Sequence, residues 1–183
     1  RLTPDTVYHG AGAMRRLLGA VGDLADSLPV PEAAGDTLYD ATLVAIADLV
    51  RALEHRFGGP ASIGVGMPGI VSPATGLVKN ANSTWLIGRA IDQDLERALG
   101  RPVRCANDAN CFALSEASDG AGQGAAVVFG VILGTGVGGG IVVDGRVLDG
   151  PNAIAGEWGH NPLPWPRDDE RPGHPCFCGR AGC

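Results

Sequence analysis

The chain has 183 residues, of which 45% are hydrophobic and 19% charged, and its formal net charge is −6. Such a composition predicts a globular protein with a core, built as one domain or as two small lobes around a cleft. The acidic balance argues against a nucleic-acid partner, and the absence of an eighteen-residue apolar run argues against a membrane span. Because the N-terminus lacks the layout of a signal peptide, we expect a cytoplasmic protein.

The first part of the chain predicts two helices separated by a linker. Residues 14–28 have apolar side chains near helical spacing and predict a short amphipathic helix, and the prolines and glycine of residues 29–35 mark the linker. A longer helix begins at Asp36 or Thr37 and is ended by Gly58-Gly59-Pro60. The predicted buried stripe of this helix consists of Leu43, Ile46, Val50, Leu53 and Phe57.

From Ala61 onward, strands alternate with glycine loops and helices. Residues 62–66 predict a short buried strand and residues 91–99 a helix stopped by Gly100. Residues 102–105 predict the next strand, and Asn107-Asp108 opens a helix that continues to about Ser118. The class of the chain is therefore α/β.

The following segment predicts paired strands. Residues 125–133 form a near-continuous apolar run, typical of a strand that is buried on both faces. A strand at residues 141–143 then leads through Asp144-Gly145, a strong hairpin signal, into Val147-Leu148.

A run of glycines joins these strands: Gly134, Thr135, Gly136, Val137, Gly138, Gly139 and Gly140. It matches the spacing of a dinucleotide-binding loop, but that motif requires a helix after the glycines, and here a strand and a hairpin follow. We therefore predict a β-turn-β unit whose backbone amides, with the Thr135 hydroxyl, bind phosphate oxygens. The alternative is a tight turn between two core strands.

Two further segments carry side chains suited to a polyol site. Asp108, at the junction of a strand and a helix, serves either in a helix cap with Asn107 or as a base for a hydroxyl group. Glu157 and His160 are flanked by glycines and can bind sugar hydroxyls from two directions. Trp158 or Trp85 offers an apolar wall, although a tryptophan is more often part of the core.

The C-terminal residues predict a structural zinc site. His160, Cys176, Cys178 and Cys183 provide four ligands of the types that tetrahedral zinc prefers. In a reducing compartment, clustered cysteines bind metal more often than they form disulfides. The alternative is a set of buried or redox-active thiols.

Together these motifs resemble the ROK family of sugar kinases, and within it the bacterial fructokinase or manno(fructo)kinase group. The resemblance covers residues 63–183, about two thirds of the chain. The motifs on which the resemblance rests are Gly66-Met67-Pro68-Gly69, Asn80-Ala81-Asn82 with Trp85, Asn107-Asp108-Ala109-Asn110, the glycine run, Gly156-Glu157-Trp158-Gly159-His160 with the Asn161-to-Trp165 extension, and the cysteines. Trp158 and that extension favour the fructokinase group.

The resemblance implies an actin-like, ribonuclease-H-like fold of two lobes with the site between them. It implies that Asp108 is the base for the sugar hydroxyl that attacks the γ-phosphate of ATP. The sugar ligands would be Asn82, Asn107, Glu157 and His160, and the run from Gly134 to Gly140 would hold ATP phosphates with Mg²⁺. Zn²⁺ on His160, Cys176, Cys178 and Cys183 would be structural.

The implied organisation has three parts: a divergent N-terminal segment at residues 1–35, an N-terminal α/β lobe at 36–106 and the start of the C-terminal lobe at 107–183. We expect a fold that is incomplete at both ends, because residues 1–30 do not match the family's Asp-x-Gly-Gly-Thr-Lys loop and the resemblance implies a further sugar-binding glutamate and the rest of the nucleotide lobe after the last cysteine. Fructose is the expected substrate and a homodimer the expected assembly. The alternatives are a non-catalytic sugar-binding regulator and a kinase fragment without activity of its own.

Overall fold

The computed structural model describes residues 36–134, 136–176 and 178–183. The described residues divide into two compact units, one containing residues 36–63 and 91–103 and the other residues 64–90 and the described part of 104–183. The helix predicted at residues 14–28 and the linker at 29–35 lie outside the described residues. The lobes predicted at 36–106 and 107–183 stay a prediction.

The first unit contains two helices, α1 (Asp36–Phe57) and α2 (Ile91–Leu99), both with the ends that the sequence predicts. They contact each other around Tyr39, whose hydroxyl donates a hydrogen bond to Asp94. Phe57 was expected on the buried stripe but is 58% exposed, because it is the last helical residue before the chain turns at Gly58. No helix among the described residues is long and apolar enough to cross a membrane.

Leu95 is the central apolar side chain of α2 and is fully buried. We expect Leu95→Ala to lower the free energy of unfolding by about 2–5 kcal/mol, because it removes buried methyl groups and leaves a cavity. Val44→Ala on α1 is the matched control, since Val44 is 60% exposed and its truncation should cost far less. Urea denaturation of both variants measures the difference, and equal losses would contradict the prediction.

Short strands precede the site in the second unit. β1 (Ile63–Met67) pairs with β4 (Val103–Asn107), and β2 (Ile70–Val71) pairs antiparallel with β3 (Val78–Lys79). β1 and β4 confirm the strands predicted at residues 62–66 and 102–105, but the prediction that the first of them is buried is wrong, since only Met67 at its end is buried. The two-residue strands β2 and β3 were not predicted, because pairs this short carry no periodicity.

The larger sheet of this unit is antiparallel and has the order β5 (Val127–Leu133), β6 (Val137–Val143), β7 (Arg146–Val147). The register pairs Leu133 with Val137 and continues to Val127 with Val143. Asp144 and Gly145 both have positive φ, 48° and 73°, as a tight two-residue hairpin requires. The predicted hairpin is therefore confirmed, and β6 starts four residues earlier than expected.

One face of this sheet packs against α3 (Asp108–Ser118), whose Ala113 lies against Gly130 and Gly140. The prediction that β5 is buried on both faces is wrong for the described residues. Its opposite face carries exposed apolar side chains, namely Val127, Phe129, Val131 and Leu133, with exposures between 40% and 74%. The error arose because an apolar run was taken to mark a strand covered on both faces, whereas this antiparallel strand is covered extensively only by α3 among the described elements.

Candidate functional site

Asp108 is the first residue of α3, directly after β4. Its neighbour Asn107 is 4% exposed and caps the helix, accepting a hydrogen bond from the Asn110 backbone N–H at 3.0 Å. The Asp108 carboxylate accepts the N–H of Ala109 at 2.9 Å. Both expected roles are thus compatible: Asn107 forms the cap, which leaves Asp108 at an exposed strand–helix junction.

Asn107 also connects this junction to the loops of the small sheets. Its side-chain amide donates to the carbonyl of Gly69 at 3.1 Å. Gly69 in turn packs tightly on the loop that carries the predicted sugar ligand Asn82, since a Cβ at Gly69 would lie 2.4 Å from the Lys79 carbonyl oxygen and 2.8 Å from the Ala81 nitrogen. Asn82 itself is exposed, with its side-chain oxygen 2.7 Å from the Ser83 N–H.

Glu157 lies beside the first residues of β6 and close to Asp108 and His160. Burial is the main reason why the pKa of Glu157 is raised; the Gly139 N–H lowers it, the Asp108 carboxylate raises it and His160 lowers it. Trp158 holds this segment against the strand, because its indole N–H donates to the Gly138 carbonyl at 2.8 Å. The structure thus brings three of the predicted site residues together within one unit.

The raised pKa of Glu157 has a measurable consequence for stability. The folded state binds the Glu157 proton more tightly than the unfolded state, so wild-type stability falls as pH rises from 4.5 through the raised value. Glu157→Gln does not titrate, so we expect its stability relative to wild type to increase over that range. Urea denaturation from about pH 5 to about pH 8 would measure the free energy of unfolding of both proteins. If wild type becomes more stable relative to Glu157→Gln as the pH rises, the prediction is wrong.

The glycine run does form a turn between two strands, as predicted. Of the residues between β5 and β6 the structure describes Gly134 and Gly136, and the Gly134 N–H donates to the Gly136 carbonyl at 2.9 Å. Gly138, Gly139 and Gly140 lie within β6, and Gly139 and Gly140 are buried. Thr135, predicted as an additional phosphate donor, lies outside the described residues. Phosphate binding by the run stays a prediction.

The four predicted zinc ligands form one cluster at the C-terminal end of the described residues. Their ligand atoms all lie within 4.8 Å of one another. The Nδ1 atom of His160 is 3.4 Å from the Cys176 sulfur and 3.8 Å from the Cys183 sulfur, and the sulfurs of Cys178 and Cys183 are 3.6 Å apart. Gly173, Gly179 and Gly182 adopt positive φ near 80° and allow the tight turns that bring the cysteines together.

This donor set fits a zinc ion. Tetrahedral zinc, with Zn–S near 2.3 Å and Zn–N near 2.0 Å, requires S···S separations of about 3.8 Å and S···N separations of about 3.6 Å. Hydrogen bonding to Cys176, burial and the Cys178 thiol raise the pKa of Cys183 to about 11 when no cation is present. A zinc ion would reverse that effect, since its charge favours the thiolate over the thiol.

A cation on Nδ1 would also define the chemistry of the second ring nitrogen of His160. Metal-bound histidines keep the proton on the other nitrogen, which then donates a hydrogen bond. His160 can therefore bind a metal through Nδ1 and donate to a sugar hydroxyl through Nε2, as the two predicted roles require.

The ROK family model matches residues 19–183. The chain belongs to the ROK family. It is similar to the N-acetyl-D-glucosamine kinase of Pectobacterium atrosepticum, with 44% identity over 149 residues that cover 79% of this chain and 49% of that protein. The chain thus spans about half the length of this curated relative.

Two solved ROK structures resemble the described fold. The ROK hexokinase from Thermus thermophilus has a TM-score of 0.65 and 35% identity, covering 85% of this chain and 49% of that one. The ROK family glucokinase from Streptomyces griseus, in complex with glucose and AMPPNP, has a TM-score of 0.62 and 30% identity, covering 85% and 46%. The predicted family and its actin-like α/β fold are confirmed, whereas the fructokinase subgroup finds no support in these proteins.

Two contacts at the site were not anticipated from the sequence. Trp158 was interpreted as a sugar wall or a core residue, but it hydrogen-bonds to β6 and packs edge-on against Phe129, with ring centroids 6.3 Å apart. Gly69 was noted only as part of a motif, although it joins Asn107 to the loop that precedes Asn82. Both depend on residues far apart in sequence, and no local pattern signals them.

Proposed function

We propose that this ROK protein is an ATP-dependent sugar kinase that phosphorylates an N-acetylated hexosamine, with N-acetyl-D-glucosamine as the first candidate. The observation that carries the proposal is the proximity of the Glu157 carboxylate to both Asp108 and His160, beside the glycines of β6. The choice of sugar rests on the similarity to N-acetyl-D-glucosamine kinases. Fructose, which the motifs suggested, is the competing substrate.

The proposed reaction transfers the γ-phosphoryl group of ATP, supplied with Mg²⁺, to a sugar hydroxyl. Asp108 accepts the hydroxyl proton as the oxygen attacks phosphorus and the bond to the ADP oxygen breaks. Glu157 and His160 hold neighbouring hydroxyls, and the exposed backbone at Gly136 contacts the phosphates. Phosphoryl transfer depends mainly on positioning and charge stabilisation, which such an arrangement supplies.

The zinc cluster has a structural part in this proposal. A zinc ion on His160 and the three cysteines is fully coordinated by protein atoms, so it has no open position for a substrate. It would fix the His160 ring and hold the chain after Glu157 in place. Asn82 and Asn107 complete the proposed sugar contacts.

A coupled assay of ADP release with N-acetyl-D-glucosamine, N-acetylmannosamine, glucose, mannose and fructose tests the proposal. We expect the largest kcat/KM with an N-acetylated sugar. A larger value with fructose would overturn the substrate assignment but leave the kinase assignment standing. Sugar binding by calorimetry without any ADP release would instead support a regulatory ROK module.

A further inference from the structure

The glycines of the run differ in what surrounds them, and three steric environments can be distinguished. A Cβ added to Gly136 would meet nothing within 4 Å, and at Gly134 it would meet only the Gly136 oxygen, at 4.0 Å. The turn is thus open. The Gly134 N–H is bonded to the Gly136 carbonyl, so it is the open space at Gly136 that agrees with the proposed phosphate contact.

Gly139 and Gly140 are surrounded by backbone and cannot accept a side chain. A Cβ at Gly140 would lie 2.6 Å from the Ala109 carbonyl oxygen in the first turn of α3, and one at Gly139 would lie 2.8 Å from the Gly130 oxygen. Gly140 allows the helix that carries Asp108 to pack directly on the sheet, whereas Gly139 lies against the backbone of Gly130 and Gly156 and the Phe129 ring. Both glycines serve packing rather than ligand contact.

Gly138 differs from both groups, because the atoms nearest to its Cβ position all belong to the side chain of Glu157. A Cβ at Gly138 would lie 3.2 Å and 3.4 Å from the two carboxylate oxygens of Glu157. The same carboxylate accepts the Gly139 N–H, and Trp158 donates to the Gly138 carbonyl. The Glu157 carboxylate therefore lies directly over the strand in the space that a side chain at position 138 would take.

We propose that Gly138 is a positioning residue for the sugar: the absence of a side chain leaves the volume in which Glu157 holds its carboxylate beside Asp108 and His160. This rests on the proposed function, in which Glu157 binds a sugar hydroxyl. The glycine run then serves both substrates, with the open turn facing the nucleotide and Gly138 acting on the sugar through Glu157.

Gly138→Ala separates this role from phosphate binding. The new methyl group displaces only the end of a flexible side chain, so the fold should persist while the carboxylate moves by a few tenths of an ångström. We expect the sugar Kd, measured by calorimetry with N-acetyl-D-glucosamine, to rise about tenfold or more while the Kd for ATP stays within about twofold. Equal loss for both ligands, or loss for ATP alone, would overturn the proposal.

Gly64→Ala is the matched control, because Gly64 also lies in a strand of this unit and has nothing within 4 Å of its Cβ position. We expect it to bind both ligands as wild type does. If Gly64→Ala weakens sugar binding as much as Gly138→Ala, the effect comes from strand glycines in general and the proposal fails.

A compensating substitution gives the most specific readout. Glu157→Asp is one methylene shorter, so in combination with Gly138→Ala it relieves the crowding. We expect the sugar Kd of the double variant to be at least about fivefold lower than the value obtained by multiplying the fold-changes of the two single variants. Additive effects would overturn the proposal while leaving the kinase assignment intact, whereas a wild-type protein that binds no sugar would overturn both.

Discussion

Asp108→Asn is expected to lower kcat for sugar phosphorylation by about 10²–10⁴-fold, the usual contribution of a positioned base, with little change in sugar Kd. The amide cannot accept the hydroxyl proton, but it keeps the shape of the carboxylate. Its oxygen can still accept the Ala109 N–H, and Asn107 continues to cap α3. Rapid-quench or coupled assays give kcat, and calorimetry gives the affinity.

Asp119→Asn is the control for this substitution, because Asp119 follows the same helix at its other end. It removes one negative charge without touching the proposed site, so its kcat should match that of wild type. A fall in kcat that is as large in Asp119→Asn, or wild-type turnover in Asp108→Asn, would exclude Asp108 as the base.

Cys178→Ser is expected to remove bound zinc and to abolish sugar binding along with it. The substitution replaces one of four thiolate or imidazole donors that lie within 4.8 Å of one another, and zinc affinity should fall by more than about 100-fold. Without the ion, His160 loses its fixed orientation and the three-cysteine segment loses its cross-link. Metal analysis, thermal unfolding and sugar calorimetry should therefore all change together.

Cys105→Ser is the matched control for the zinc site, since Cys105 lies on β4 and outside the cluster. It should retain about one zinc ion per chain. Wild-type protein that contains no zinc would refute the ligand assignment. Zinc loss in Cys178→Ser with unchanged sugar affinity would show that the ion does not support His160.

Local patterns predicted most of the helices and strands. The ends of α1 and α2 were correct because glycines stop both helices, and the Asp144-Gly145 hairpin was correct because few residue pairs adopt two consecutive positive φ angles. The clustering of the three cysteines was predicted for a similar reason, since their spacing and their glycines determine the local turns, whereas His160 comes from 16 residues before Cys176. These features depend on neighbours in sequence, which a single sequence displays.

Burial was predicted less well. The apolar run of β5 indicated a strand correctly but suggested the wrong surroundings, since Phe129 and Leu133 are exposed on the face opposite α3. Phe57 was assigned to the buried stripe of α1 but is exposed, and the other members of that stripe, Leu43, Ile46, Val50 and Leu53, are only half-buried. Periodicity describes the side chains of one element, and it says nothing about which neighbouring element covers them.

The sequence by itself determined the family and the α/β class and predicted the residues of the candidate site, because short motifs such as Asn107-Asp108 and Gly156-Glu157-Trp158-Gly159-His160 indicate them. Only the tertiary structure decided what each glycine of the run contacts. It separates the open turn at Gly136 from the packed Gly140 and from Gly138 beneath the Glu157 carboxylate. The reason is physical: a glycine has no side chain to show its surroundings, so its role appears only when segments distant in sequence come within a few ångströms.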